Sequence, residues 1–249
     1  MTHTLHRQGE YQNEDYVWLM YQAKGINDTG IAEKARAFLA AAEAVGCSNW
    51  GDVKSGSILL YPVDYVKSRI SNQSRLRGVL NAPEHVTEFL KQVKTADTGL
   101  SVVISGPLDY VLPACKAAGL TPHTINFSLG VWGKKELLPK QETLAVTTMC
   151  GHHMVAPGIV EKMAREVRAG RISAEEAGKK LAALCPCGIF NHVRAGKLVG
   201  EMATAAKAAA RAARDGGATA TPPTGCESCA GFEDGGGDSG SGAGAGEEE

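Results

Sequence analysis

Three cysteines and two histidines stand where the chain could do chemistry. Cys150-Gly151-His152-His153 and Cys185-Pro186-Cys187-Gly188 set thiols and imidazoles among glycine and proline, which interrupt regular structure and make loops. Thiolates are soft ligands, so three of them with an imidazole suit an iron–sulfur cluster or zinc, and suit magnesium or calcium poorly. Pro186 removes a backbone donor and holds Cys185 extended, which lets Cys185 and Cys187 face a common volume. The first expectation is an iron–sulfur cluster, of the four-iron, four-sulfur type, with a redox or substrate-activating role. With three cysteines, one iron would need histidine, a partner protein or substrate as its fourth ligand. The alternatives are a zinc-stabilised binding or regulatory module with a Cys₃His site, and a metal-free thiol enzyme. The pattern is neither a paired CxxC at zinc-ribbon spacing nor a ferredoxin run; small buried cysteines packed as core are the reading against all three, and the glycines, proline and histidines beside them, which make loops, stand against that one.

Adjacent residues in extended backbone point to opposite sides, so only one of His152 and His153 is expected on the metal. The other is left to hydrogen-bond or to serve as a general acid or base. Ser105-Gly106-Pro107 is a weaker candidate: it ends a strand and opens a helix, a place able to bind phosphate or carboxylate, but it lacks the glycine pattern of a P-loop or dinucleotide site. His3 and His6 have HxxH spacing in what reads as a frayed terminus, and Cys115 reads as core.

Bringing Cys150 to Cys185 needs the chain to double back. Ile159, Met163 and Val167 mark a helix from Pro157 to Gly170, and Ser173 with Glu176 forms a capping box opening a second helix to Leu184. Legs of similar length return Cys185 to the level of Cys150. Asn191 then caps a further helix, and residues 203–214, rich in alanine, extend it into solvent.

Upstream, strands are expected at Tyr16–Tyr21, Ser57–Tyr61, Leu100–Ile104, Thr124–Leu129 and Glu142–Met149. The helices between the first of them bury Ile31, Ala35, Phe38 and Leu39, then Val86, Phe89, Leu90 and Val93. Strands alternating with helices predict an α/β fold with a mainly parallel sheet, its last two strands possible antiparallel neighbours. Cys150 would then stand at the carboxyl end of a strand, where ligand sites of such sheets gather. The expected units are an α/β domain (1–149), a Cys/His-containing helical region packed on it (150–214) and a disordered Gly-rich acidic tail (215–249).

The 249 residues carry a net charge of −1, but residues 216–249 hold seven acids and no Lys or Arg, leaving +6 on the rest. That charge forms no dense basic patch, so nucleic acid is not an expected partner. A redox partner protein or a small-molecule substrate is. No apolar run approaches the ~20 residues of a membrane span. Seven cysteines, an odd number, with no signal peptide suggest a reducing cytoplasm. Cys226 and Cys229 form a CxxC on the tail with no assigned role.

Overall fold

The computed structural model describes residues 2–216; the remainder of the expected tail, with Cys226 and Cys229, lies outside the described residues. The chain runs β1 (Tyr16–Tyr21), α1 (Ile31–Ala44), β2 (Asn49–Asp52), β3 (Gly56–Ser57), α2 (Val63–Ser68), β4 (Arg77–Leu80), α3 (Pro83–Ala96), β5 (Ser101–Ser105) and α4 (Leu108–Ala117). Four more helices follow: α5 (Gln141–Thr147), α6 (Pro157–Arg168), α7 (Ala174–Ala183) and α8 (His192–Gly216). No helix among the described residues is long and apolar enough to cross a membrane. The longest, α8, continues into the exposed alanine-rich extension expected from its composition.

The five strands form one sheet in the order β3-β2-β4-β1-β5, and every hydrogen-bonded pair is antiparallel. This corrects the expectation of a mainly parallel sheet, and the cause is specific. β1 and β2 both pair antiparallel with β4, so they run the same way, joined through α1 as a βαβ unit. β4 lies between them and supplies the hydrogen bonds. β4 and β5 likewise run together through α3 with β1 inserted between them. These are two interleaved split βαβ units, in which each crossover leaves a gap that an antiparallel strand fills.

Two cores cover the two faces. On β1, Tyr16, Trp18 and Met20 face a core with Ile31, Phe38, Phe89 and Leu90 of α1 and α3. Val17, one residue out of phase, joins Val79 of β4 against the helices of the C-terminal region. The alternation is the period-two geometry of a strand, and burial on both faces explains why Tyr16 to Met20 are all buried.

Three expected strands are absent as such. Ser57 ends β3, and the chain turns at once towards Tyr61. Residues 121–134 are irregular, so no strand forms at Thr124–Leu129. Residues 142–149 fold as α5 and the turn after it, burying Thr143, Ala145, Val146 and Met149. The helical hairpin is found as expected, with the Ser173 hydroxyl accepting from the Glu176 N–H at 3.0 Å. The buried stripe of α6 is Val160 and Ala164, rotated by one residue from the expected Ile159 and Met163.

Candidate metal centre

Cys150 lies one turn beyond α5, so it stands after a helix and not at a strand end as expected. Its carbonyl accepts from the His153 N–H at 3.1 Å, closing a tight turn in which His153 takes left-handed backbone, φ 56°. Cys185 and Cys187 occupy the turn between α7 and α8. The helices α6 and α7 return the chain so that this turn meets the one after α5. Close packing of α7 on α8 fixes it further: a Cβ added at Gly178 would lie 2.2 Å from the His192 carbonyl and 2.9 Å from the Gly196 nitrogen. The two backbones touch there because neither Gly178 nor Gly196 carries a side chain.

All three thiols are buried and meet. Cys185 Sγ is 3.5 Å from Cys187 Sγ, Cys187 Sγ is 3.8 Å from His152 Nδ1, and the Cys150 and Cys185 thiols are hydrogen-bonded. His152 is exposed, so the cluster reaches the surface through its imidazole. His153 takes no part in these contacts; of the adjacent pair, one histidine joins the thiols and the other does not. Ser105 and Gly106 belong to a different region, described below.

The electrostatics of the three thiols differ sharply. Cys150 is pulled down to about 5, first by its hydrogen bond with the Cys185 thiol, then against burial by the N–H groups of Met154 and His152 and the nearby imidazole. Cys187 is pulled down to about 6 by its own bond with Cys185, aided by the Ile189 N–H and the charges of Arg77 and His152. Cys185, bonded to both of these and buried, is pushed far up. The two hydrogen bonds thus favour the proton on Cys185, the central sulfur, and make the outer two thiols easier to ionise. As they stand, these contacts form a chain, and among the described residues no three His, Cys, Asp or Glu side chains already enclose a point that could hold a metal ion.

The residues that hold the two turns in place carry no motif. Arg7 donates to the carbonyl of Met149 at 2.9 Å and to that of Ile189, bracketing Cys150 and Cys187. Arg7 also pairs with Asp15, which takes Arg194 at 2.8 Å on its other oxygen. Asn49 donates to the Phe190 carbonyl at 2.9 Å, tying the second turn to β2. Asn191, expected as a cap, does accept from the Arg194 N–H at 2.9 Å, and it also donates to the Glu14 carbonyl and Asp15.

Gly188 seats the second turn on the sheet. Its φ is +81°, and a Cβ there would lie 2.2 Å from the Gly51 nitrogen and 2.3 Å from the Trp50 carbonyl carbon. Gly188→Ala is expected to cost about 2–5 kcal/mol, combining left-handed strain with a clash against backbone that cannot rotate away. Urea unfolding reads it, and a change below about 0.5 kcal/mol would show that the turn does not rest on β2 in this way.

Compared with protein-family models, curated proteins and solved structures, the chain matches none.

Proposed function

We propose that the chain is a metal-binding module in which Cys150, Cys185, Cys187 and His152 hold one zinc ion that ties the turn after α5 to the turn between α7 and α8. The observation that carries this reading is the spacing. A tetrahedral zinc with bonds of about 2.3 Å to sulfur and about 2.0 Å to nitrogen sets its ligand atoms roughly 3.5–3.8 Å apart. The separations found are 3.5 and 3.8 Å. A four-iron cluster sits between its thiolates as a cube and spreads them much farther, so the same turns would have to open to admit one. Four protein ligands also leave no open position, the mark of a structural site.

The N–H groups aimed at Cys150 and Cys187 supply what a bound thiolate needs, stabilisation of its negative charge in a buried place. Closing the chain of contacts around an ion requires chiefly that Cys185 give up its proton. Zinc binding near pH 7.5 is accordingly expected to release fewer than three protons from the thiols per ion, because the outer two ionise more readily than a free thiol. Calorimetry in buffers of different ionisation enthalpy measures this number.

Elemental analysis of anaerobically purified protein tests the reading directly. About one zinc per chain in a colourless protein supports it. A brown protein carrying several irons and sulfide would replace it with the iron–sulfur cluster expected from the residue types. Protein with neither metal, and one cysteine alkylated far faster than the rest, would leave a thiol enzyme.

A further inference from the structure

On the other side of Arg7 lies a cavity of about 670 Å³, within the range of small-molecule sites, bounded by β5, α4 and residues 120–128. Leu90, Ile104, Val111, Leu120 and Phe127 give it mostly apolar walls, and Cys115 faces it from α4. One end is different. There Ser105 and Thr4 share a hydrogen bond of 2.8 Å, and α4 begins without a side-chain cap, its N-terminus preceded by Gly106 and Pro107 in the cavity wall. Uncapped N–H groups and the positive end of the helix dipole favour an anion.

An independent feature of the same end agrees. Arg7 lines the cavity, its side chain is only 7% exposed, and its Nε has no hydrogen-bond partner. Asp15, also in the wall, has both oxygens committed, to Arg7 and Asn191 on one and to Arg194 on the other. Two buried guanidiniums thus share a single buried carboxylate, one positive charge more than that carboxylate cancels. His123 is exposed on the loop side, and the charge of the exposed Glu10 also acts on Arg194. Uncompensated buried charge is costly unless something neutralises it.

We propose that this cavity binds a small amphiphilic anion, its carboxylate or phosphate head at the start of α4 beside Arg7 and its apolar body along α4 towards Cys115. The site shares Arg7 with the frame of the thiol cluster but does not depend on which metal, if any, that cluster holds.

Cys115 provides the readout, because a body lying along α4 covers its thiol. The alkylation rate of Cys115 is followed by site-resolved mass spectrometry with decanoate, decanol or decyltrimethylammonium, each below its micellar concentration. Cys47, bonded to Trp18 on another part of the fold, reports any general change in opening. Decanoate at ten times its dissociation constant is expected to slow Cys115 by about tenfold while Cys47 is unchanged. Decanol should need at least about tenfold more for the same protection, since it lacks the charge that the head group site recognises. Decyltrimethylammonium should give none. In Arg7→Gln, decanoate should fall to the level of decanol, and if that variant does not fold, the three-probe series on the natural chain decides alone. Equal protection by all three probes, or by none, overturns the proposal. Metal content of the natural chain, measured with and without each probe, should not move, so a failure here is distinguishable from a failure of the metal reading.

Discussion

Cys185→Ser is expected to abolish metal binding, lowering zinc affinity by more than about a hundredfold and leaving close to no metal after gel filtration. The size of the effect follows from position. Cys185 is the central sulfur of the cluster, in contact with both Cys150 and Cys187. A serine hydroxyl is nearly isosteric, so packing is kept, but it is a poor soft-metal ligand and ionises far less readily than a thiol. Losses of 10–100-fold accompany changes to groups that merely orient ligands, and loss of a ligand itself should exceed them. Cys115→Ser, far from the cluster, should keep about one metal per chain. Hydrogen exchange separates a structural role from simple capture: removal of the metal by a chelator should speed exchange in residues 150–190 while leaving β1 and β5 protected, because the proposed ion would crosslink two turns and not the sheet. If Cys185→Ser retains full metal, the four residues named here do not form one centre.

The sequence made the cluster of thiols visible for reasons that are local. Loop-forming residues around Cys150, Cys185 and Cys187 mark thiols that do not sit on helix or strand faces, and capping signals at Ser173 and Asn191 give the lengths of the legs that bring them together. Only one of His152 and His153 joins the thiols, but through a tight turn with His153 left-handed and not through the extended backbone expected. What the sequence could not carry was pairing. β2 is Asn49-Trp50-Gly51-Asp52, with no β-branched residue, and it is a strand only because β4 and β3 flank it and all four residues are buried. Conversely Thr143 to Thr148 has the β-branched look of a strand yet forms α5, where the Thr148 hydroxyl bonds back to the Leu144 carbonyl at 2.7 Å and the buried face packs under the hairpin. The expectation of a mainly parallel sheet failed for a related reason. A helix between two strands states that they run the same way and says nothing of whether another strand comes between them.

The charged residues escaped notice because, in a sequence, an arginine or aspartate reads as surface. Asp15→Asn tests how far the architecture depends on them. Asp15 is 1% exposed and Arg194 fully buried, with Arg7 at 7%. Burial pulls the Arg194 guanidinium down and the charge of Asp15 offsets it, yet an arginine stays protonated throughout the accessible range. The asparagine variant therefore leaves two buried cations facing each other and turns an acceptor oxygen into an NH₂ donor opposed to their N–H groups. Breaking a buried pair in this way costs about 3–5 kcal/mol, which for a chain of this size lowers Tm by roughly 10 °C. The loss should reach the thiols as well: Arg7, released from Asp15, no longer fixes the carbonyls of Met149 and Ile189, so zinc affinity should fall together with Tm. Replacing the triad as a whole, with Arg7→Met, Arg194→Met and Asp15→Leu combined, separates charge from shape. Apolar residues of similar volume should recover most of the stability, while the uncapped carbonyls of Gln8 and Glu10, to which Arg194 now donates at 2.6 and 2.9 Å, limit the recovery. An Asp15→Asn protein melting within about 1 °C of the natural chain would mean that water reaches these guanidiniums, and that the buried positive charge is not there for an anion to neutralise.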